Sequence, residues 1–545
     1  MSLDYPLTID KLLVQTVHRG ARGEIVYQKT RYNWVEFYSR IRRLGSGLAA
    51  MGVKKGSKVA MVDYDTNRYL EAYYAVPMLG AVLHTVNIRL PSGHIAYTMS
   101  HAEDDFVLLR DEFIPLAMKV ASSARSIKGI VTMSDTGSAP SLPFMNVRFY
   151  DDILSSGDPG FEFPELDEDL PATMLYTSGT TGMPKGLVFT HRQIVLHTLA
   201  VQIALAGAGP EHKVDASDVL MPLVPFFHVH SWGMPYWAGL GGQKIVLAGK
   251  HDASRVLELI SKEGVTFSHM IPTVLDMVLS HPSVEEYLYP LSKWKVVVGG
   301  DMFPRELALK ARRLGVRVMA GYGLSETGPV LTLATPTDKL VALSEEDLLD
   351  RVLLKAGLPI PMVSLRIVDG KMVDVPRDDK TVGEVIARAP WLADGYYRDD
   401  AKTKTLWAGG WLHTGDMAVW DKDGYVTIVD RIRDAIRSGG EWIPSMLLEE
   451  VLVHHPAVSE VAVIGAKDSK WGERPVAIVA LRRDQTASPQ DLLDFAQKSV
   501  DEGKIAKFWL PDRFVILSEP LPKTNTGKVD KSPLRVRYSA AVVAS

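Results

Sequence analysis

Not one of the 545 residues is cysteine. That excludes disulfides, thiolate metal sites and a cysteine nucleophile. Excess charge is missing as well: 61 basic against 65 acidic side chains leave a net charge of −4, so no basic field argues for nucleic acid. No apolar run approaches the roughly 18 residues of a membrane span. The opening residues, Met1 to Tyr5, show neither the basic start nor the apolar core of a secretory signal. Internal repeats and low-complexity stretches are lacking too, and Ser134 to Ser141 is the nearest thing to a loose loop. What remains is 46% hydrophobic and 23% charged, the balance of a globular protein, in a chain too long for one core. Two or more domains and a cytoplasmic enzyme are expected.

Apolar residues recur at Phe37, Ile41, Leu44, Leu48 and Met51, one helical face, with Asn33 as N-cap, Glu36 three residues on and Gly52 at the far end. Lys58 to Val62 reads as a strand, Tyr69 to Leu79 as a helix and Ala81 to Val86 as a second strand. That is a βαβ unit, hence parallel sheet and an α/β fold. The alternation continues to about residue 330.

The stretch on which the chain's chemistry centres is Tyr176-Thr177-Ser178-Gly179-Thr180-Thr181-Gly182-Met183-Pro184-Lys185-Gly186. Glycines let backbone N–H groups converge on an anion, hydroxyls add donors, and Lys185 adds a full charge. A polyphosphate needs that chemistry. The Walker-type loop is excluded, because Pro184 stands where that motif requires glycine before the lysine. Strand-like flanks, Ala172 to Leu175 and Leu187 to Thr190, make the stretch the tip of a hairpin.

This motif resembles the phosphate-binding signature of the adenylate-forming superfamily, which includes the acyl-CoA synthetases. The resemblance implies a large N-terminal domain of several subdomains with parallel sheets (1–430), a hinge (431–435) and a small mobile α/β C-terminal domain (436–545). It implies ATP, Mg²⁺ and coenzyme A as reactants with a carboxylic acid.

Further segments fall in the family's order. Pro225-Phe226-Phe227-His228-Val229-His230-Ser231-Trp232 carries two closely spaced histidines, but no Asp, Glu or Cys supports a metal site there. The segment is most similar to the medium- and long-chain fatty acyl-CoA synthetases, where the residue matching Trp232 gates the acyl tunnel. Phe226, Phe227 and Trp232 also suit a plain core. The resemblance assigns His228, Trp232, Met234, Val274, Gly300 and Gly323 to the acyl group. Thr266 to Val274 and Lys295 to Pro304 read as strands followed by loops, and Gly299-Gly300 would let a flat ring lie on backbone. Gly321-Tyr322-Gly323-Leu324-Ser325-Glu326-Thr327 matches the family's nucleotide segment, with Tyr322 to stack on adenine and Ser325 to reach the α-phosphate. Glu326 offers a hard oxygen to Mg²⁺. Thr181 would join it on the metal, and Gly300, Asp301, Gly321 and Gly323 complete the nucleotide cradle.

Asp416 is the candidate for the ribose diol, since a carboxylate accepts two hydrogen bonds at once. Arg431 joins it by resemblance, and Arg433 stands at the pivot, where relatives usually have Asp or Lys. Arg437, Gly439, Gly440, Glu441 and Trp442 resemble the segment that receives pantetheine. Lys523-Thr524-Asn525-Thr526-Gly527-Lys528 matches the family's terminal motif and makes Lys528 the catalytic lysine, acting with Glu326, Thr181 and Lys185.

The expected reaction is ATP-dependent activation of an acid, medium- or long-chain fatty by preference, as acyl-AMP, then transfer to coenzyme A. A short, thioether or branched acid fits the same residues, and similar enzymes are often homodimers. Delivery to a carrier protein is a rival reading, as are a luciferase-like oxygenase and an inactive nucleotide-binding protein. No carrier domain follows residue 545 and no oxygenation site is marked, while Lys528, Glu326 and Asp416 argue against an inactive protein.

Overall fold

Apolar, β-branched runs alternating with helical stretches build parallel sheet throughout the first two-thirds of the chain. A computed structural model describes residues 5–20, 23–121, 126–137, 146–177, 183–337, 339–439, 441–502, 505–523 and 529–539. Ser178, Gly179, Thr180, Thr181, Gly182, Gly440 and Lys528 lie outside those residues, as does the side chain of Glu441. Two compact units emerge, one of residues 1–364 and 387–412, the other of 365–386 and 413–545.

The first unit is built on two sheets. Among the described residues, one has seven strands in the order 147–149, 129–133, 106–110, 58–62, 82–85, 171–177 and 185–190. All its neighbours are parallel except the last pair. Lys58 stands opposite Val82, so the strand–helix–strand reading of 58–86 holds, with the helix at Asn67–Met78. The cap expected at Asn33 is present: its side chain accepts from the backbone N–H of Glu36 at 2.9 Å and starts the helix Trp34–Ala50. Ala60, Val62, Val107 and Leu109 from the strands pack with Ile95 and Met99 of a covering helix.

The other sheet runs 358–359, 330–333, 317–323, 295–298, 267–270, 219–222, 244–247, 24–27 and 30–33. Its six central strands, from Arg317–Gly323 to Glu24–Tyr27, are parallel. The segment after Phe267–Met270 differs from the expected loop. Pro272 occupies the first helical turn, where its missing N–H is harmless, and starts the helix Pro272–Leu279, so Val274 is helical and half-buried.

Ser364–Val368, Gly383–Arg388, Leu412–Trp420 and Val426–Arg431, which fall mostly in the second unit, form a four-stranded sheet. A five-stranded sheet follows, centred on the antiparallel pair Val458–Asp468 and Gly472–Leu481. Helix Pro489–Asp501 begins on a full capping box between Ser488 and Asp491.

Candidate active site

The phosphate motif is a hairpin base. Pro171–Thr177 pairs antiparallel with Lys185–Thr190, Tyr176 stands opposite Gly186, and Thr177 opposite Lys185. Ladder hydrogen bonds therefore pair the strands that flank residues 178–184. Tyr176 adds a side-chain anchor, its hydroxyl lying 2.8 Å from Nδ1 of His101.

Lys185 rests its ammonium 4.4 Å from the centre of the Tyr396 ring. The hydroxyl of Tyr396 donates to Oε1 of Glu326 at 2.6 Å. Burial, with Glu326 adding to it, pushes that phenol far above its ordinary value, so it stays protonated and is the donor. Glu326 sits in a single 3₁₀ turn, Ser325–Thr327, at the end of the strand Arg317–Gly323. The backbone closes tightly there. A Cβ on Gly323 would lie 1.7 Å from the carbonyl oxygen of Pro329, so only glycine fits. Leu324 N–H donates to Thr327 Oγ1 at 2.8 Å and fixes the turn from inside. Tyr322, Ser325 and Glu326 are all half-buried.

The apolar candidates gather elsewhere in the same unit. Val229, His230, Ser231 and Trp232 have φ of 44°, 54°, 47° and 50°, four consecutive non-glycine residues in the left-handed region. Such a conformation costs roughly 1–2 kcal/mol per residue. Two hydrogen bonds offset that cost: Ser231 Oγ donates to Val224 O at 2.6 Å, and His230 Nε2 hydrogen-bonds the distant Thr173 Oγ1 at 2.7 Å. Burial holds His230 well below its ordinary value, at about 3, and it is neutral. The turn aims Trp232 at the loop after Lys295–Val298. A Cβ on Gly299 would lie 2.9 Å from Cη2 of Trp232 and 2.7 Å from the carbonyl oxygen of Gly321. The flat ring resting on that glycine backbone is thus the protein's own indole, and His269 lies against it with centroids 5.2 Å apart. Met234 is fully buried where the next helix, Met234–Gly241, begins, whereas His228 is exposed. Asp301 is exposed, its carboxylate accepting from the backbone N–H of Met302 at 3.0 Å.

In the second unit Asp416 is 4% exposed, and its Oδ1 lies 3.2 Å from Nε of Arg431, directly across the strand pair. The two residues assigned to ribose thus stand side by side. Thr414 and Gly415 before it are tied to the neighbouring strand through Val385 O at 2.7 Å and Glu384 Oε1 at 3.1 Å. Arg433 is exposed, with Nε 3.6 Å from Asp434 Oδ2. The segment assigned to pantetheine is a short hairpin in which Arg437 stands opposite Trp442 with its guanidinium over the indole at 5.6 Å, and Gly439 N–H donates to Trp471 O at 2.8 Å. Lys523 and Val529 pair across an isolated bridge on either side of residues 524–528.

Sequence reasoning missed Tyr396. Its signal was faint: a Gly-Tyr-Tyr step 70 residues beyond Glu326, with nothing in the pattern to join the two.

The AMP-binding enzyme family matches residues 14–397, and the AMP-binding enzyme C-terminal domain matches 447–528. The chain is 41% identical over 527 residues to the long-chain-fatty-acid–CoA ligase of Thermus thermophilus, covering 96% of this chain and 92% of the relative. It is 34% identical over 543 residues to the 3-methylmercaptopropionyl-CoA ligase of Ruegeria lacuscaerulensis, covering 98% of both. Among solved structures, the anthranilate CoA ligase AuaEII in complex with anthranoyl-AMP superposes with a TM-score of 0.82 at 24% identity over 98% of each chain, a likeness of fold. The chain belongs to the AMP-binding, adenylate-forming enzyme family. Within it, the protein is an AMP-forming acyl-CoA ligase that takes ATP, Mg²⁺, coenzyme A and a carboxylic acid. Among the described residues no helix is long and apolar enough to cross a membrane.

Proposed function

We propose that the acid is a medium- or long-chain fatty acid, and that residues 1–430 bind it with ATP while 436–545 turns about the hinge 431–435. The observation that carries the acyl assignment is the Trp232 indole lying on the Gly299 backbone, beside Gly321 of the nucleotide strand. A wide apolar plate set there closes a tunnel with one side-chain rotation and reseals it against water. His228, Met234, Val274, Gly300 and Gly323 would complete the acyl site.

The chemical obstacle is that a carboxylate is unreactive toward a thiol, because oxide is a hopeless leaving group. The carboxylate oxygen first attacks the α-phosphorus of ATP, expelling pyrophosphate and leaving acyl-AMP. Carboxylate and triphosphate repel each other, so positioned cations must hold them together. In this reading Lys185 and Lys528 supply them, while the hydroxyls and backbone N–H groups of 177–182 donate to the phosphates, with Ser325 on the α-phosphate. Tyr322, Gly300, Asp301, Gly321 and Gly323 hold the base, and Asp416 with Arg431 holds the ribose. Glu326 is a hard carboxylate ligand of the kind Mg²⁺ takes beside phosphate oxygens, and Thr181 would join it. Mg²⁺, when bound, neutralises charge on the phosphates.

The coenzyme A thiol then attacks the acyl carbon and AMP leaves. Lys528 has no task in that step. The small domain therefore turns about Arg433, withdrawing Lys528 and presenting Arg437, Gly439, Gly440, Glu441 and Trp442 to pantetheine. Lys528→Ala tests this: adenylate formation should fall about a thousandfold while thioester formation from supplied acyl-AMP persists. Equal loss in both halves would refute the two-face reading.

A second substrate reading, a short thioether acid, has the 34% identity to the 3-methylmercaptopropionyl-CoA ligase in its favour. Incubation with ATP, coenzyme A and acids of increasing length, following AMP release, separates the two; highest kcat/KM below six carbons would overturn the fatty-acid proposal. Residence in the cytoplasm and a homodimer belong to the same proposal, tested by fractionation and by light scattering.

A further inference from the structure

One ring joins two pieces of the phosphate machinery that are far apart in sequence. Tyr396 donates its hydroxyl to Glu326 Oε1 at 2.6 Å and gives its face to the Lys185 ammonium at 4.4 Å. The segment that carries it is stapled to both partners' backbones. Ala393 N–H donates to Glu326 O at 2.9 Å, and the Trp391 indole N–H to Thr327 O at 3.0 Å. On the other side Tyr397 N–H donates to Gly186 O at 2.8 Å, and Tyr396 itself bridges to Leu187. Thr403 Oγ1 accepts from the Tyr396 N–H at 2.9 Å and sets the entry to the following helix. A side chain carried on a backbone held at so many points has a fixed origin, and its hydroxyl and ring contacts restrict it further.

We propose that Tyr396 is a positioning residue of the metal–polyphosphate site, orienting Glu326 through its hydroxyl and Lys185 through its ring. The inference rests on the reading of Glu326 as the Mg²⁺ carboxylate. A carboxylate has two oxygens, and the phenol bond takes Oε1, so Oε2 is the one that would be left for the metal. Fixing the ligand in advance removes rotamer entropy that metal binding would otherwise have to overcome, which is how outer hydrogen bonds raise affinity. The ring does the same for the cation: an ammonium over a π-face is held without neutralising its charge. A carboxylate partner there would pair with Lys185 and compete with phosphate; the ring does not. One residue thereby sets the spacing between the metal ligand and the cation that flank a triphosphate.

The test separates hydroxyl from ring. Mn²⁺, a spectroscopic stand-in for Mg²⁺, is titrated by electron paramagnetic resonance into the full-length protein with a non-hydrolysable ATP analogue. Tyr396→Phe keeps the ring and loses the oxygen, and should weaken Mn²⁺ binding in that complex roughly tenfold. Its adenylation rate should recover at saturating Mg²⁺, with the melting temperature unchanged. Tyr396→Leu loses both functions and should in addition weaken the analogue in the absence of metal. In a Glu326→Gln background, Tyr396→Phe should add nothing to the Mn²⁺ loss, since the group it orients is gone. Wild-type Mn²⁺ binding by a folded Tyr396→Phe, while Glu326→Gln alone loses it, overturns the positioning role and leaves the Glu326 reading standing. Unchanged Mn²⁺ binding by Glu326→Gln overturns the underlying reading, and this inference with it. Should Tyr396→Phe not fold, Tyr396→Leu is read in the same titration, since leucine has no donor for Glu326, and wild-type Mn²⁺ binding by that folded variant overturns the role.

Discussion

Two aromatic rings of the first unit are held in opposite ways. Tyr396 is braced: backbone bonds tie its segment to Glu326 and Gly186, and its hydroxyl is committed to a carboxylate. Trp232 is perched, its indole resting on glycine backbone at the end of a four-residue left-handed turn. On the role proposed for each, the difference follows from chemistry. A phosphate site needs fixed charges, because preorganised groups reorganise least as charge develops. An acyl site must admit a chain and shut out water, which calls for a part that moves.

The largest effect should come from breaking the braced end at its backbone. Gly323→Ala drives a methyl into the Pro329 carbonyl, 1.7 Å away, and should cost about 3 kcal/mol, read as a lower melting temperature with activity lost for every acid. Glu326→Gln should leave the fold intact and slow adenylation on the order of a hundredfold, equally for short and long acids in a pyrophosphate-release assay. Trp232→Ala should do the reverse. Its effect should depend on the acid, shifting the ratio of kcat/KM between long and short chains about tenfold, the scale on which one or two methylenes are discriminated. An acid-independent loss in Trp232→Ala would erase the contrast between the two ends.

A gentler probe is pH. His230, inside the left-handed turn, is held by burial at about 3 against an ordinary 6.5. The unfolded chain therefore binds the extra proton first, and the stability of the neutral imidazole, complete above 6.5, is lost as pH falls from 6.5 toward 3. By pH 5.5 the loss should be on the order of 1 kcal/mol. His230→Gln should flatten the dependence of denaturant midpoint on pH in that window.

Local rules were enough for much of the frame. The cap at Asn33, the hairpin strands flanking 178–184 and the βαβ unit of 58–86 are short-range features, and each is built where the pattern put it. The helix from Pro272 was read as a loop because an eight-residue apolar run after a strand carries little periodicity, and the proline at its start was not taken as an N1 signal. The left-handed turn was invisible for a stronger reason. Val229 is β-branched, and no propensity argument places such a residue at φ of 44°; only bonds from Thr173 and Val224, far away or across the turn, do so. Tyr396 was missed for the same cause at longer range. The candidate site residues were named from the family's motifs, whereas the contacts that surround them join segments that share no motif.

The strand Lys185–Thr190 is the outermost of its seven-stranded sheet, and the bridge from Leu187 to Tyr396 lies along that margin. A bare outer strand is a template on which a second chain can polymerise. Catalytic order and solubility are therefore guarded by the same stitch. Variants that loosen residues 393–397 should be found among the insoluble fraction of any mutant library as often as among the inactive one.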